Sequence, residues 1–304
     1  MGDPATGVIA DVESTGTASG RPIRVALVQQ HAGPDRRENL ARGLEAIASA
    51  AGEGANLVAY PELSFEPFHP RRRPERNPLE LAEPVPGGTT EALASAAAEH
   101  GVVVVANLLE RDGERTYDAS PVIDADGSLL GVTRMVHVPD YEGFREKAWY
   151  APGDRGVPVY DTAIGAVGVA ICYDRHFPEA MRALALAGAE VVVVPQAGLV
   201  DEWPDGLFEA ELRTAAFQNG YFAALCNRVG EEERLAFAGE SFVCDPAGEV
   251  IARAASLGED LLLADLDLDE VERSHAKRLF LPDRRPELYP GWLFGTSEEP
   301  GYQA

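Results

Sequence analysis

Residues Val167–Glu179 read VGVAICYDRHFPE. The apolar run before Cys172 predicts a buried strand, and Pro178 opens a helix-like segment that continues to Leu186. A strand that passes through a short polar turn into a helix is typical of a nucleophile elbow, which exposes one side chain at the edge of a sheet. We therefore predict that Cys172 is a nucleophile. The alternative is a packing cysteine, because cysteine is commonly buried.

Strand-like and helix-like segments alternate from Arg24 onward, which predicts an α/β fold. One domain over residues 23–267 is the simplest organisation, since no repeat or low-complexity linker interrupts it. A disordered N-terminal arm, residues 1–22, is expected to precede it. Residues 268–304 are expected to form a C-terminal helix and an aromatic arm, with the helix over Leu268–Lys277. Thr89 or Thr90 is expected to cap an earlier helix.

The chain is strongly acidic, with 50 Asp and Glu against 26 Lys and Arg, a formal net charge of −24. This balance argues against a nucleic-acid partner and against an anionic membrane surface, since both need a basic footprint. Lys147 and Lys277 are the two lysines. An acidic chain with few lysines fits either a salt-loaded cytosol or an arginine-biased genome.

The three cysteines, Cys172, Cys226 and Cys244, are widely spaced and form no C-x-x-C pair. We expect neither a disulfide framework nor a structural zinc site, and a cytoplasmic location fits free thiols. His176 follows Cys172 by four residues, but two ligands alone are weak evidence for a metal site. No metal and no cofactor is therefore predicted. No apolar run is long enough to span a membrane, and residues 1–20 do not resemble a secretory signal.

Two glutamates are further candidates for the chemistry. Glu62 follows the strand-like segment Leu57–Tyr60 directly, at the kind of position where α/β sites collect. Glu146 precedes the aromatic pair Trp149 and Tyr150. Taken alone, each could equally be a solvated loop residue.

Together these motifs resemble the nitrilase-like carbon–nitrogen hydrolase superfamily over roughly Arg24 to Tyr289. Cys172–Glu179 looks most like the N-carbamoyl amidohydrolase branches, which include β-ureidopropionase and N-carbamoylputrescine amidohydrolase. The motifs that carry the resemblance occur in family order and are Tyr60–Leu63, Thr133–Pro139, Glu146–Asp154, Ile171–Arg175, Gly188–Pro195 and Arg284–Tyr289.

The resemblance implies a four-layer α-β-β-α sandwich and hydrolysis of a non-peptide C–N bond. It assigns Cys172 as the nucleophile that forms an acyl-enzyme, Glu62 as general base and Glu146 as the second glutamate. The backbone N–H of Tyr173 would donate to the oxyanion. It also implies a homodimer or higher homo-oligomer, with the C-terminal arm, including Tyr289, Trp292, Phe294 and Tyr302, at the interface.

One position departs from the family pattern. The resemblance places a catalytic lysine where this chain has Met135, and methionine carries no charge and no N–H donor. Losing one oxyanion donor typically costs about 10²–10³ in rate. Arg134 is a poor substitute, because neighbours on a strand face opposite sides. Lys147 and Arg175 are the candidates to supply the missing charge, although Lys147 could instead pair with surface carboxylates.

Three interpretations of Met135 stay open. Hydrolysis could persist with charge from Lys147 or Arg175 or with weaker oxyanion support. The chain could instead be a pseudoenzyme that binds a small amide or carbamoyl ligand, or Met135 could be a substitution introduced to trap a substrate. A nitrilase acting on a small nitrile is a further alternative.

The expected partner is a small molecule, and an N-carbamoyl compound or small amide is the expected substrate. Arg175 could bind a substrate carboxylate, or could pair structurally with Glu179 or Asp174. The remaining candidates for substrate binding are Tyr141, Lys147, His176, Gln196 and Trp203.

Overall fold

The computed structural model describes residues 20–294. Most of the predicted N-terminal arm and the end of the C-terminal arm, including Tyr302, lie outside this range. Two β-sheets dominate the described part, and each contains short, fully buried strands near its centre. Buried parallel strands need apolar residues on both faces, which is why the sequence shows runs such as Val191–Val194 rather than strict alternation.

The first sheet has the strand order β15-β1-β2-β3-β5-β4, with β6 also paired with β5. Strands β1, β2 and β3 run parallel, and the remaining pairs are antiparallel. Its strands are β1 (Pro22–Gln29), β2 (Leu57–Ala59), β3 (Val103–Val105), β4 (Leu108–Asp112), β5 (Arg115–Ile123), β6 (Leu129–Arg134) and β15 (Asp260–Asp267).

The second sheet has the order β14-β13-β10-β9-β8-β7, with β8, β9 and β10 parallel. Its strands are β7 (Val159–Thr162), β8 (Gly165–Val169), β9 (Val191–Gln196), β10 (Phe222–Asn227), β13 (Phe242–Cys244) and β14 (Val250–Arg253). A separate hairpin joins β11 (Val229–Glu232) and β12 (Leu235–Ala238).

Helices cover the outer face of each sheet. The helices are α1 (Arg36–Gly52), α2 (Gly88–His100), α3 (Pro178–Leu186), α4 (Leu207–Asn219), α5 (Asp269–Arg273) and α6 (Tyr289–Phe294). In β1, Ala26 packs in the cluster beneath α1 and α2, whereas Val25 packs against the other sheet. Helices α3 and α4 cover β9 and β10 in the same way.

The two sheets face each other across the largest apolar cluster, which contains residues of β1 to β3 and of β8 to β10. The predicted four-layer α-β-β-α sandwich is therefore confirmed. Among residues 20–294, no helix has the length and apolar character needed to cross a membrane.

Two local predictions are wrong. The expected helix Leu268–Lys277 is broken at Ser274, whose backbone is extended (ψ 154°) and whose hydroxyl accepts the Lys277 N–H at 3.2 Å, starting a new π-helical turn. Helix α2 is capped by Gly87 rather than by a threonine, while Thr90 reaches back from inside the helix to bond the Gly87 N–H.

The C-terminal segment leaves large apolar side chains in contact with solvent. Trp292 is 67% exposed and Leu293 is 60% exposed. Surfaces of this kind often mark contacts between chains. The homo-oligomer with this segment at its interface stays a prediction.

Arg134 gives a test of the packing at the end of β6. Its buried guanidinium pairs with the buried Glu110 carboxylate at 2.7 Å and with the exposed Asp112 and Asp154. Because Arg134→Met leaves the buried Glu110 charge, among the described residues, with only the distant Arg155 guanidinium at 3.8 Å, we expect a loss of about 3–5 kcal/mol in the free energy of unfolding, measured by urea denaturation.

The matched control is Arg24→Met, which removes an exposed ion pair with Asp265. It should destabilise the protein far less than Arg134→Met. Equal losses from the two substitutions would contradict this account of Arg134.

Candidate active site

Cys172 lies at the predicted elbow. Strand β8 ends at Val169, the 3-10 turn Cys172–His176 follows, and α3 begins at Pro178. Cys172 has φ +44°, a left-handed backbone conformation that is strained for a residue with a side chain. The residue is only 5% exposed, so its thiol is almost completely buried.

Asp174 fixes this turn against the first sheet. Its buried carboxylate accepts the N–H groups of Val136 at 3.1 Å and His137 at 2.9 Å, and it pairs with His137 Nδ1 at 2.7 Å. The segment that follows Met135 is therefore held directly beside the elbow.

The thiol has a donor in Gln196, the last residue of β9. Gln196 Nε2 donates to Cys172 Sγ at 3.2 Å. Burial raises the pKa of Cys172 well above its usual range, and the carboxyl groups of Glu62 and Glu146 raise it further, while Arg175 and the Ala197 N–H lower it. The resting thiol is thus protonated and needs a base to become a nucleophile.

Glu62 is held in place through its backbone. Arg228, fully buried, donates to the Glu62 carbonyl at 2.9 Å and to the Leu63 carbonyl. Leu63 has φ +45°, and its N–H donates to Asn107 Oδ1 at 2.7 Å. No sequence motif indicated Arg228, because it lies 166 residues from Glu62.

The Glu62 carboxyl is completely buried, and neither oxygen has a hydrogen bond of standard geometry. Burial and then the nearby Glu146 raise its pKa to about 8, against weaker opposing effects from the adjoining Cys172 thiol, Asp118 carboxyl and Arg228. A carboxyl with a pKa near neutrality can both accept and return a proton, as a general base requires.

Glu146 begins the 3-10 turn Glu146–Ala148 and points inward. Both carboxyl oxygens are buried without a hydrogen-bond partner, and burial followed by Asp118 raises the pKa of the group well above its usual range. Lys147, the next residue, is exposed on the outer side of the same turn. The structure therefore does not bring Lys147 to the thiol as the missing cation.

Asp118 is a third buried carboxyl in this site, and the sequence prediction missed it. It lies within β5, with Oδ1 accepting Asn107 Nδ2 at 2.6 Å and Oδ2 without a partner. Burial and the nearby Glu62 raise its pKa well above the usual range. The available signal was an acidic residue inside the strand-like stretch Thr116–Ile123, because a buried carboxyl is costly unless it has a function.

Met135, where the resemblance places a lysine, follows β6 and is 1% exposed. Its N–H donates to the Asp118 carbonyl at 2.9 Å, and its side chain belongs to the same apolar cluster as Cys172. Arg134 instead points to Glu110 on the outer side, as the alternation of strand residues predicts.

Arg175 is buried, and within residues 20–294 its guanidinium forms no ion pair with Glu62, Asp118 or Glu146. It donates to the Cys172 carbonyl at 3.3 Å, pairs with Glu211 at 3.5 Å and lies over the Phe208 ring. Neither Glu179 nor Asp174 is its ion-pair partner within residues 20–294. Its proposed contact with a substrate carboxylate stays a prediction.

Four half-buried aromatic rings form a closed series that we call the rim. Tyr141 contacts Tyr173 and Trp203, and His176 contacts the same two residues, with ring centroids 5.2–6.4 Å apart. The Tyr141 hydroxyl donates to Glu202 at 2.7 Å. The structure thus brings together three of the predicted binding residues, Tyr141, His176 and Trp203.

Cys172 and His176 are the two residues that the sequence analysis considered as a weakly supported metal pair. His176 Nδ1 lies 2.7 Å from Glu211, and its other ring nitrogen lies 3.2 Å from the Arg175 guanidinium. In the described residues, no group of three or more His, Cys, Asp or Glu side chains is arranged to hold a metal ion.

Comparison with known families identifies the family of this chain. The carbon-nitrogen hydrolase family model matches residues 24–276. The chain belongs to the carbon–nitrogen hydrolase family. The resemblance seen in the sequence motifs is therefore confirmed.

Similar proteins place this carbon–nitrogen hydrolase among enzymes of small molecules. A citrullinase of Francisella tularensis is 35% identical over 88% of this chain and 96% of its own. An N-carbamoylputrescine amidase of Solanum lycopersicum is 34% identical over 88% of this chain and 94% of its own. Both are hydrolases of non-peptide C–N bonds, the class predicted for this chain.

A solved amidase mutant from Nesterenkonia sp. AN1 carries the acetamide moiety of fluoroacetamide covalently added at its active-site cysteine. It is 29% identical to this carbon–nitrogen hydrolase and superimposes with a TM-score of 0.75, covering 89% of this chain and 97% of that chain.

Glu62 makes the stability of this hydrolase depend on pH. Its pKa is about 8 in the folded protein, against an ordinary value of 4.5. Between these values the folded state keeps a proton that the unfolded state releases. The free energy of unfolding should therefore fall as the pH rises from about 5 to about 8. We expect Glu62→Gln, which does not titrate, to remove part of this decline, measured by urea denaturation across that range.

The control is Glu142→Gln, an exposed glutamate in the same loop as Glu146. It should keep the wild-type decline. An unchanged decline in Glu62→Gln would show that Glu62 is not the group that holds the extra proton.

Proposed function

We propose that this chain hydrolyses a small N-carbamoyl compound or amide through a covalent acyl adduct on Cys172, with Glu62 as the proton carrier. The observation that carries this proposal is the shared burial of thiol and carboxyl. The Glu62 carboxyl raises the pKa of the Cys172 thiol, and the Cys172 thiol lowers the pKa of Glu62, so the two groups lie close together. The names of the relatives support the substrate class.

In the first half-reaction, ionised Glu62 takes the thiol proton and Cys172 Sγ attacks the carbonyl carbon. We assign the backbone N–H of Tyr173, at the elbow, as a donor to the resulting oxyanion. Protonated Glu62 then passes its proton to the leaving nitrogen, and the C–N bond breaks to release ammonia or an amine.

In the second half-reaction, Glu62 takes a proton from water as the water oxygen attacks the acyl carbon. The C–S bond breaks, and the proton returns to the Cys172 sulfur as the product leaves. Glu146 lies close enough to raise the pKa of both Glu62 and Cys172, so we assign it to hold the substrate nitrogen and keep Glu62 partly protonated.

A second candidate function is binding of the same compounds without turnover. Met135 favours it, since the side chain that would support the oxyanion in the family pattern is here apolar and buried. Hydrolysis of a small nitrile is a further alternative that the same assay tests.

Cys172→Ala should abolish turnover, and Glu62→Gln should lower kcat about 10²–10⁴-fold because proton transfer is lost. The measurement is ammonia release from N-carbamoylputrescine, citrulline, N-carbamoyl-β-alanine, acetamide and a small nitrile.

Cys244→Ala is the control, because this buried cysteine lies in β13 beneath α4, away from Glu62. It should keep wild-type turnover. If wild type binds a compound of the panel, measured by calorimetry, but releases no ammonia from any of them, the binding function replaces the hydrolase function. Turnover that survives in Cys172→Ala would exclude the covalent mechanism.

A further inference from the structure

Six buried oxygen atoms at the Cys172 site have no hydrogen bond of standard geometry from the described part of the protein, although the Cys172 thiol and the Asp118 carboxyl adjoin Glu62. They are Oε1 and Oε2 of Glu62, Oδ2 of Asp118, Oε1 and Oε2 of Glu146, and Oε1 of Gln196. Buried acceptors without donors are costly, and a native protein rarely keeps several together. Such a cluster has the character of a binding site for a group rich in N–H donors.

The two buried guanidinium groups nearby make their polar contacts with other groups, although Nε and Nη2 of Arg175 and Nε of Arg228 have no hydrogen-bond partner among the described residues. Arg228 binds the backbone carbonyls of Glu62 and Leu63 and the carboxylate of Glu232, while Arg175 lies against Glu211. The Met135 side chain adds no charge. Among residues 20–294, no lysine or arginine side chain forms an ion pair with Glu62, Asp118 or Glu146.

The approach to the thiol also favours a positive group. The rim formed by Tyr141, Tyr173, His176 and Trp203 lies beside the thiol, since Cys172 and Glu146 both raise the pKa of Tyr141, and aromatic rings attract cations. Glu202 adds a carboxylate beside the rim through its bond with the Tyr141 hydroxyl.

We propose that the carbon attacked by Cys172 belongs to a planar N–H-bearing cation, an amidinium or guanidinium group, so that the substrate supplies the charge that Met135 does not. This inference rests on the proposed function, since it uses the same nucleophile and the same base. An amidinium carries four N–H donors and a guanidinium carries more, and both present them in a plane that carboxylates bind in pairs.

The reaction is balanced without any co-reactant beyond water. Cys172 Sγ, deprotonated by Glu62, forms a C–S bond to the amidinium carbon, and the C=N electron pair moves onto nitrogen. Glu62 returns its proton to one nitrogen, the C–N bond breaks and ammonia leaves. Water then forms a C–O bond as the C–S bond breaks, so that an amidine yields an amide and a guanidine yields a urea.

Charge development explains why this site suits a cation better than a neutral amide. A thiolate that adds to an amide creates an oxyanion beside three carboxyl groups. A thiolate that adds to an amidinium creates a neutral intermediate. A bound cation also favours ionisation of Glu62, Asp118 and Glu146, which prepares the base.

Two alkylating reagents of equal size test the proposal without requiring turnover. 2-Chloroacetamidine is cationic and 2-chloroacetamide is neutral, and in each the thiolate displaces chloride. Intact mass spectrometry measures the rate at which each reagent labels Cys172. The rate with the amidine is divided by the rate with the amide, and this ratio is then divided by the same ratio measured for glutathione. We expect this normalised ratio to be greater than ten in wild type. We also expect the protein to release ammonia faster from acetamidine than from acetamide.

Met135→Lys should bring the normalised ratio to one or below, because the lysine would repel the amidinium. Asp118→Asn, which keeps the shape of the side chain, should lower it several-fold. Asp112→Asn is the matched control on the neighbouring strand and should leave it unchanged, since this carboxylate is 57% exposed and pairs with Arg134 on the outer side.

A normalised ratio near one in wild type, with Cys172 labelled by both reagents, would overturn the cationic substrate and leave the proposed hydrolase function intact. Failure of both reagents to label Cys172 would overturn the proposed nucleophile itself. If Met135→Lys does not fold, Asp118→Asn decides, and an unchanged ratio in that variant would contradict the inference.

Discussion

Three carboxyl groups buried beside one thiol are the constraint on which this structure depends. Glu62, Asp118 and Glu146 lie between two apolar sheets, and none forms an ion pair with a lysine or arginine in the described residues. Because ionised groups are costly in such a place, burial raises the pKa of all three carboxyl groups, and burial together with the nearby Glu62 and Glu146 raises the pKa of Cys172. Glu62 is therefore a base with a pKa of about 8, and the resting Cys172 thiol stays protonated.

Strained backbone conformations hold the nucleophile Cys172 and the base Glu62 in position. Cys172 at φ +44° and Leu63, beside Glu62, at φ +45° both adopt left-handed conformations, one from each sheet. Each is held by buried polar contacts, through Asp174 on one side and Arg228 on the other. Strain of this kind persists only where the surroundings enforce it, which ties the position of the thiol and base to the packing of the whole sandwich.

The sequence predicted the parts of the site that depend on residues close together in the chain. The Cys172 elbow follows from one strand, turn and helix, and the positions of Glu62 and Glu146 follow from family-like motifs. Asp118 and Arg228 were missed because they reach the site only through the pairing of distant strands. Lys147, one of two candidate cations, is exposed, since a 3-10 turn buries Glu146 and leaves its neighbour on the surface. Periodicity predicted most helices and strands but not the break at Ser274, where a side chain bonds the backbone.

The most direct measurement of the central claim is the number of protons released when acetamidine binds to Cys172→Ala at about pH 7, obtained by calorimetry in two buffers of different ionisation enthalpy. Glu62, whose pKa near 8 is set by burial and by Glu146, is mostly protonated before binding. The account predicts a net release of protons as the bound cation ionises the carboxyl groups. Binding without proton release, or binding of acetamide with equal affinity, would contradict it.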